Sequence, residues 1–275
     1  MKAPHALTAA GLGTLLTLIS FTAPLATVNS TAAGLGADTA GKTWILSSMS
    51  IGLGAVLLST GTISDDYGRR RTFQIGLITL AVASVVCALA PNTLVFVLAR
   101  VLQGVGGAAV IASSLGIIAH AYPAGPSRAA ASGVWGASVG AGIAIGPLLS
   151  AGLDRALSWR DVYWFLFAAA LIVAVASQYL VEESRTETTR KLDVYGTVLL
   201  AAGMSALLAA LVEGRQGWVS VDVIGLAVGA VVLLTALSSS NIEVTLRCWT
   251  RHCSGESRSS VRRQPRLPPV RESSR

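Results

Sequence analysis

Long apolar runs alternate along the chain with short polar punctuation. Eight runs approach the roughly 20 residues a helix needs to cross a bilayer: 6–28, 43–64, 72–90, 93–120, 129–152, 161–181, 194–212 and 221–238. The pattern predicts an all-α polytopic membrane protein. Lys2 and the run Leu7–Ala26 have the outline of a signal peptide. Pro24 interrupts that run, no clear small-x-small cleavage site follows, and more runs come after it, so it reads as a retained first span. After Leu237 the apolar pattern stops. Residues 239–275 are rich in Arg, Ser and Pro and read as a disordered basic tail.

Composition strengthens the membrane reading. The chain is 52% hydrophobic and 13% charged, where a soluble domain carries about 25% charged residues. Its 28 glycines suit close helix contact in lipid. The net charge of +7 is not a nucleic-acid signal, because eight Arg against three Glu in 239–275 supply five of it. Three cysteines make no disulfide framework, and Cys87 reads as a small core residue. Cys248, His252 and Cys253 are too few and too cramped for a metal site. The connections differ in charge. Stretch 61–71 carries Arg69, Arg70 and Arg71, loop 182–193 carries Arg185, Arg190 and Lys191, and 122–128 carries Arg128. Connection 90–92 is uncharged, and the first loop opposite has only Lys42. The excess of Lys and Arg assigns the N-terminus, 61–71, 182–193 and the tail to the cytoplasm. Arg155 and Arg160 fall outside, so the rule holds on balance.

Two places carry candidate chemistry. In Gly61–Thr72, Gly61 and Gly68 are expected to allow a tight turn. Asp65 is expected to accept from the N-terminal amides of a neighbouring helix, and Arg69 and Arg70 to pair with acids or lipid phosphate. A plain positive-inside turn explains the same composition. Arg100 lies seven residues past Thr93, about 10 Å into its run at 1.5 Å per residue. A charge at that depth marks a functional site by default, with snorkelling to the outer interface as the alternative. Gln103 is one turn further on and can share a hydrogen-bond network with it. In the fifth run Gly136 and Gly140, then Gly142 and Gly146, lie four apart, a spacing that lets helix backbones approach. Pro147 is expected to kink that helix. Gly104–Gly107 lies inside a span and is no phosphate loop. No nucleophile–base pair appears outside the spans, and His5 and His120 at span ends have no evident partners, so an enzyme is not expected.

The spacings add a resemblance. Gly61-x-Ile63-Ser64-Asp65-x-x-Gly68-Arg69-Arg70 resembles the loop signature between the second and third helices of the major facilitator superfamily. Asp66 departs from it, standing where a basic residue is usual. Arg100-x-x-Gln103-Gly104 resembles the family's fourth-helix motif, whose arginine is implicated in proton coupling. Gly133-x8-Gly142-x3-Gly146-Pro147 resembles the motif of the antiporter branches, with Ser150 in place of the closing glycine. Asp193-x-x-Gly196, Glu213-Gly214 and Gly217-Trp218 resemble the two extra helices of the fourteen-helix drug:proton antiporters.

The resemblance implies a six-helix bundle over 1–181, a cytoplasmic loop 182–193, and two additional transmembrane helices over 194–238. It implies proton-coupled efflux of small hydrophobic or amphipathic compounds, either antibiotic resistance or metabolite export, across a bacterial plasma membrane. No cofactor is implied, since the proton gradient supplies the energy. The partners are the lipid bilayer and a small-molecule substrate, with no nucleic acid. In that scheme Gly61, Asp65, Gly68, Arg69 and Arg70 form a cytoplasmic gating loop. Arg100, Gln103 and Gly104 support proton coupling, and Gly133, Gly142, Gly146 and Pro147 shape a helix interface. One element is missing: Ser20-Phe21-Thr22 stands where the family often has an aspartate, and no carboxylate lies deep in any span. Alternatives are a metabolite transporter of the same superfamily, or a non-transporting half-length chain with a second-bundle partner.

The tail carries a further expectation. Leu246–Ser254 with the start of Gly255, back-translated and read from the third base, spells Pro-Met-Leu-Asp-Pro-Ala-Leu-Phe-Arg. This resembles the cytoplasmic segment after the family's eighth helix, and the single codon of Trp249 fits it. The hypothesis is a one- or two-base slip near Ser238–Asn241 that leaves 239–275 out of frame, with little transport by this chain alone. The gene's nucleotides test it: an alternative frame without six more apolar spans defeats it.

Overall fold

The structure, a computed structural model, describes residues 3–184, 194–214, 220, 221, 223–233 and 235. The expected loop 182–193 is covered only to Ser184, and Asp193, Gly217, Trp218 and the expected tail 239–275 lie outside the described residues. The described chain is helical. The helices are α1 (Ala3–Thr22), α2 (Pro24–Leu35), α3 (Thr39–Tyr67), α4 (Arg69–Leu89), α5 (Thr93–Ala121), α6 (Pro126–Ala156), α7 (Trp159–Leu180) and α8 (Val194–Glu213). The segment Val223–Leu233 forms α9. Five helices, α1 and α4 to α7, are long and apolar enough to cross a membrane. A sixth joins them if the two limbs of α3, bent by 53°, count as one span. In the last two predicted runs the apolar helices are shorter, Ala201–Glu213 within α8 and α9 itself.

Two boundaries differ from expectation. The first run does not end at residue 28: α2 continues from α1 after the single residue Ala23 and reaches Leu35. Pro24 is tolerated because it opens α2, where its fixed φ suits the first helical position. Gly61 makes no turn. It lies inside α3, which runs to Tyr67, and α4 begins at Arg69. The whole reversal falls on Gly68, whose φ of 117° suits a residue without Cβ.

Helix α5 is the hub, packing on α1, α3 and α4, while α6 lies on α1, α7 on α4 and α8 on α3. Small residues bring the hub close. A Cβ on Gly104 would strike the backbone of α3 at Met49 and Leu53, and one on Gly106 would lie 2.7 Å from the Gly76 carbonyl oxygen of α4. The core between α4, α5 and α7 holds Phe73, Leu77, Leu80, Phe96, Tyr163 and Leu166. Phe96, Trp159 and Tyr163 meet edge to face at centroid distances of 5.3 to 6.3 Å. The outside is the reverse of a water-soluble surface. Ile75, Ile78, Val82, Val86 and Leu89 form an exposed stripe along α4, while Thr14, Thr17 and Ser20 of α1 are buried. Apolar side chains face outward to lipid and polar ones face neighbouring helices, as membrane helices pack.

Candidate functional site

One end of the bundle is charged, and Gly68 is its centre. Arg69 Nη2 reaches Asp65 Oδ1 at 2.8 Å across the glycine. The Arg69 side chain lies beside Gly116 of α5, where a Cβ would come within 3.0 Å of it. Asp65 therefore pairs with Arg69 and does not cap a neighbouring helix. That role falls to Glu183, just past α7, whose Oε1 accepts from the Arg70 amide at 3.2 Å. Its Oε2 lies 3.9 Å from Arg70 Nε and 3.5 Å from Arg71 Nε. The backbone reinforces the join: the Arg69 amide donates to Ser184 O at 2.9 Å. A carboxylate at the first amides of α4 also meets the positive end of its dipole. So the chain after α7 returns and locks onto the first turn of α4. Of the expected gating residues, Gly68, Arg69 and Arg70 meet here with Asp65, while Gly61 stands almost two turns back in α3.

The second site is buried. Arg100 on α5 is fully enclosed at 0% exposure, which rules out snorkelling. Its Nη1 donates to Ser20 O and to Gln103 Oε1, both at 2.8 Å, and Nη2 donates to Phe21 O at 3.3 Å. Gln103 Nε2 donates to Ser84 Oγ of α4 at 2.8 Å. The Ser20 carbonyl is available for a local reason. In a regular helix it would accept from the amide four residues on, and that residue is Pro24, which has none. The α1–α2 break thus manufactures an acceptor, and Arg100 takes it. Ser150 of α6 also docks at the break, its Oγ donating to Ala23 O at 2.9 Å. Arg100 Nε is buried without a hydrogen-bond partner, and no carboxylate among the described residues pairs with this cation. Its compensation comes from carbonyl dipoles, an expensive arrangement for a charge in a low-dielectric interior.

The α6 motif divides in two. A Cβ on Gly142 would come within 2.7 Å of Leu15 O in α1, and one on Gly146 within 3.1 Å of Ile19 O. These two glycines set the α1–α6 contact. Gly133, Gly136 and Gly140 have no neighbour within 4 Å of a Cβ position. The expected tight face at Gly136 and Gly140 therefore contacts no other helix among the described residues. Helix α6 runs unbroken through Pro147. A polar cluster that the sequence reading missed joins three helices nearby. Trp135 Nε1 of α6 donates to Thr14 Oγ1 of α1 at 2.9 Å and to Ser114 Oγ of α5 at 3.0 Å. At the other end Arg160 reaches past its own helix to the last carbonyls of α4, Ala88 O at 3.1 Å and Ala90 O at 3.2 Å.

Comparison with known proteins agrees with this architecture. The family model of the Major Facilitator Superfamily matches residues 10–246. Multidrug resistance protein Stp of Mycobacterium tuberculosis is 36% identical over 185 residues, covering 67% of this chain and 34% of that protein. Puromycin resistance protein pur8 of Streptomyces alboniger is 32% identical over 204 residues, 74% of this chain and 41% of its own. Drug efflux pump JefA of Mycobacterium tuberculosis is 32% identical over 176 residues, 64% of this chain and 35% of its own. The matched region thus spans between 34% and 41% of these relatives. Among solved structures, the human organic anion transporter MFSD10 shares the fold, with a TM-score of 0.55 at 20% identity over 78% of this chain and 57% of that one.

Proposed function

The chain belongs to the Major Facilitator Superfamily, and from that premise we propose that it serves proton-driven efflux of small hydrophobic or amphipathic compounds from a bacterial cell. The observation that carries the reading is the enclosed Arg100, held by the Ser20 and Phe21 carbonyls and by Gln103. A guanidinium keeps its charge at any physiological pH. In a low-dielectric interior that charge lowers the pKa of any carboxylate brought beside it. An acid within reach of that field releases its proton in the arrangement that brings it nearer Arg100 and reloads in the one that takes it further away. The described residues supply the fixed charge and not the acid, so the carrier comes from elsewhere in the assembled transporter. A second bundle, continuous with this chain or separate, faces α6 across Gly133, Gly136 and Gly140.

The charged end acts as the cytoplasmic gate in this reading. Glu183 ties the chain after α7 to the first turn of α4, and Asp65–Arg69 spans the one-residue hinge. Opening that side requires these ties to rearrange around Gly68. The N-terminus then lies in the cytoplasm, as the Lys and Arg excess implies. No cofactor takes part and no covalent chemistry is asked of the side chains.

The test uses de-energised bacterial cells carrying this chain with and without a co-expressed second bundle, loaded with a fluorescent amphipathic dye and then re-energised. Efflux that needs both the second bundle and the proton gradient, and that disappears in Arg100→Gln, is the expected result. Dye movement indifferent to the gradient in every combination overturns the reading. Robust efflux by this chain alone overturns the shared path.

A further inference from the structure

A cleft of about 650 Å³ lies between the bundle and the extra helices, lined by none of the residues that hold Arg100 or form the charged end. Its walls come from α3 (Trp44 and Ile51), α5 (Leu94 to Val101), α8 (Ala209) and α9 (Leu226), and it is almost wholly apolar. The volume falls within the usual range for small-molecule sites. Along α5 the lining residues run from Thr93 to Val101, a depth of about 12 Å at 1.5 Å per residue.

The mouth is different. Glu213 follows Ala209 by four residues on α8, so it continues the lining stripe one turn beyond the cleft. Its Oε2 accepts from Trp44 Nε1 at 3.1 Å. The hydrogen bond fixes the indole as part of the wall and holds a carboxylate at its edge. Among the described residues no cation pairs with Glu213. The nearest basic residue on α3, Lys42, is turned to α2 and donates to Asn29 Oδ1 at 3.1 Å. An apolar cleft that ends in an aromatic face and an acid complements one kind of guest, a compact apolar body carrying a single positive charge. The ring face attracts the cation and the carboxylate neutralises it.

We propose that this cleft is a binding site for lipophilic monocations, separate from the Arg100 centre and formed only where the extra helices meet the bundle. The site holds whether or not the chain transports what it binds. The guest's apolar body fills the space between Ile51, Val101 and Leu226, and its charge lies against the Trp44 indole beside the Glu213 carboxylate.

The full chain in phosphatidylcholine nanodiscs is titrated calorimetrically with tetraphenylphosphonium and with tetraphenylborate, ions of the same shape and opposite charge. Saturable phosphonium binding without saturable borate binding is expected. Equal binding of both, or none of the phosphonium, overturns the proposal on the unaltered protein. Glu213→Gln keeps an acceptor for Trp44 and removes the charge, and is expected to weaken phosphonium binding about tenfold. Ala209→Phe fills the cleft and is expected to abolish binding. Undiminished binding in either variant places the phosphonium elsewhere and overturns the proposal.

Discussion

Arg100 and Glu183 are both charged and both hold helices together, yet substitution should separate them. Arg100 donates three hydrogen bonds, but a polar contact between membrane helices averages only about 0.6 kcal/mol. Removing the guanidinium also removes its desolvation cost. Arg100→Met should therefore change the unfolding temperature little while abolishing gradient-driven flux. A variant that collapses in the unfolding scan would make Arg100 a structural brace. Glu183→Ala leaves the Arg70 amide without its acceptor and removes the carboxylate that faces the Arg70 and Arg71 guanidinium groups, and should cost about 1–3 kcal/mol. Asp65→Ala loses an i,i+4 pair whose carboxylate is half exposed, about 0.3–0.5 kcal/mol. Unfolding scans should rank Glu183 above Asp65, and the opposite order would put the anchor of α4 in the wrong place. Arg100 was legible because it is the one basic residue well inside an apolar run. Glu183 was not, because it lies 113 residues from the amide it caps, and no local pattern joins positions so far apart.

At the scale of elements, one proline and one set of glycines decide where helices meet. Pro24 was visible as an interruption of the first run, but its consequence was not, since the freed Ser20 carbonyl matters only once α5 is docked beside it. Pro24→Ala supplies that carbonyl with a backbone amide donor in competition with the Arg100 guanidinium. The variant should lose flux, because Arg100 then competes for its anchor. Unchanged flux would show that the break serves something else. The glycines separate by neighbour, not by motif. Gly104→Ala pushes a methyl into the α3 backbone at Met49 and Leu53, and overpacking of this kind costs about 1–3 kcal/mol. Gly133→Ala enters open space and should be neutral or stabilising by up to about 1 kcal/mol. Spacing identifies which glycines recur every turn, but their neighbours are set by how α6 rotates against α1, and side-chain shape fixes that rotation.

For the whole molecule, hydrophobic run length was enough to find the bundle, because a bilayer demands long apolar helices and allows few other elements. Run length overstated the turns: what looked like a polar loop at 61–71 is two helix ends and one glycine, since charged residues continue helices readily beyond the lipid. In the function proposed above, the charged end serves as the gate and the buried Arg100 as the fixed charge of one half of a rocking transporter. In the proposed mechanism Arg100 couples proton movement to substrate movement. The direct measurement is proton flux in proteoliposomes holding the chain assembled with a second bundle, read by an internal pH dye when an amphipathic substrate is added. A substrate-triggered pH change that vanishes in Arg100→Gln while substrate binding persists is the expected result. The same pH change in Arg100→Gln as in the unaltered protein would contradict it.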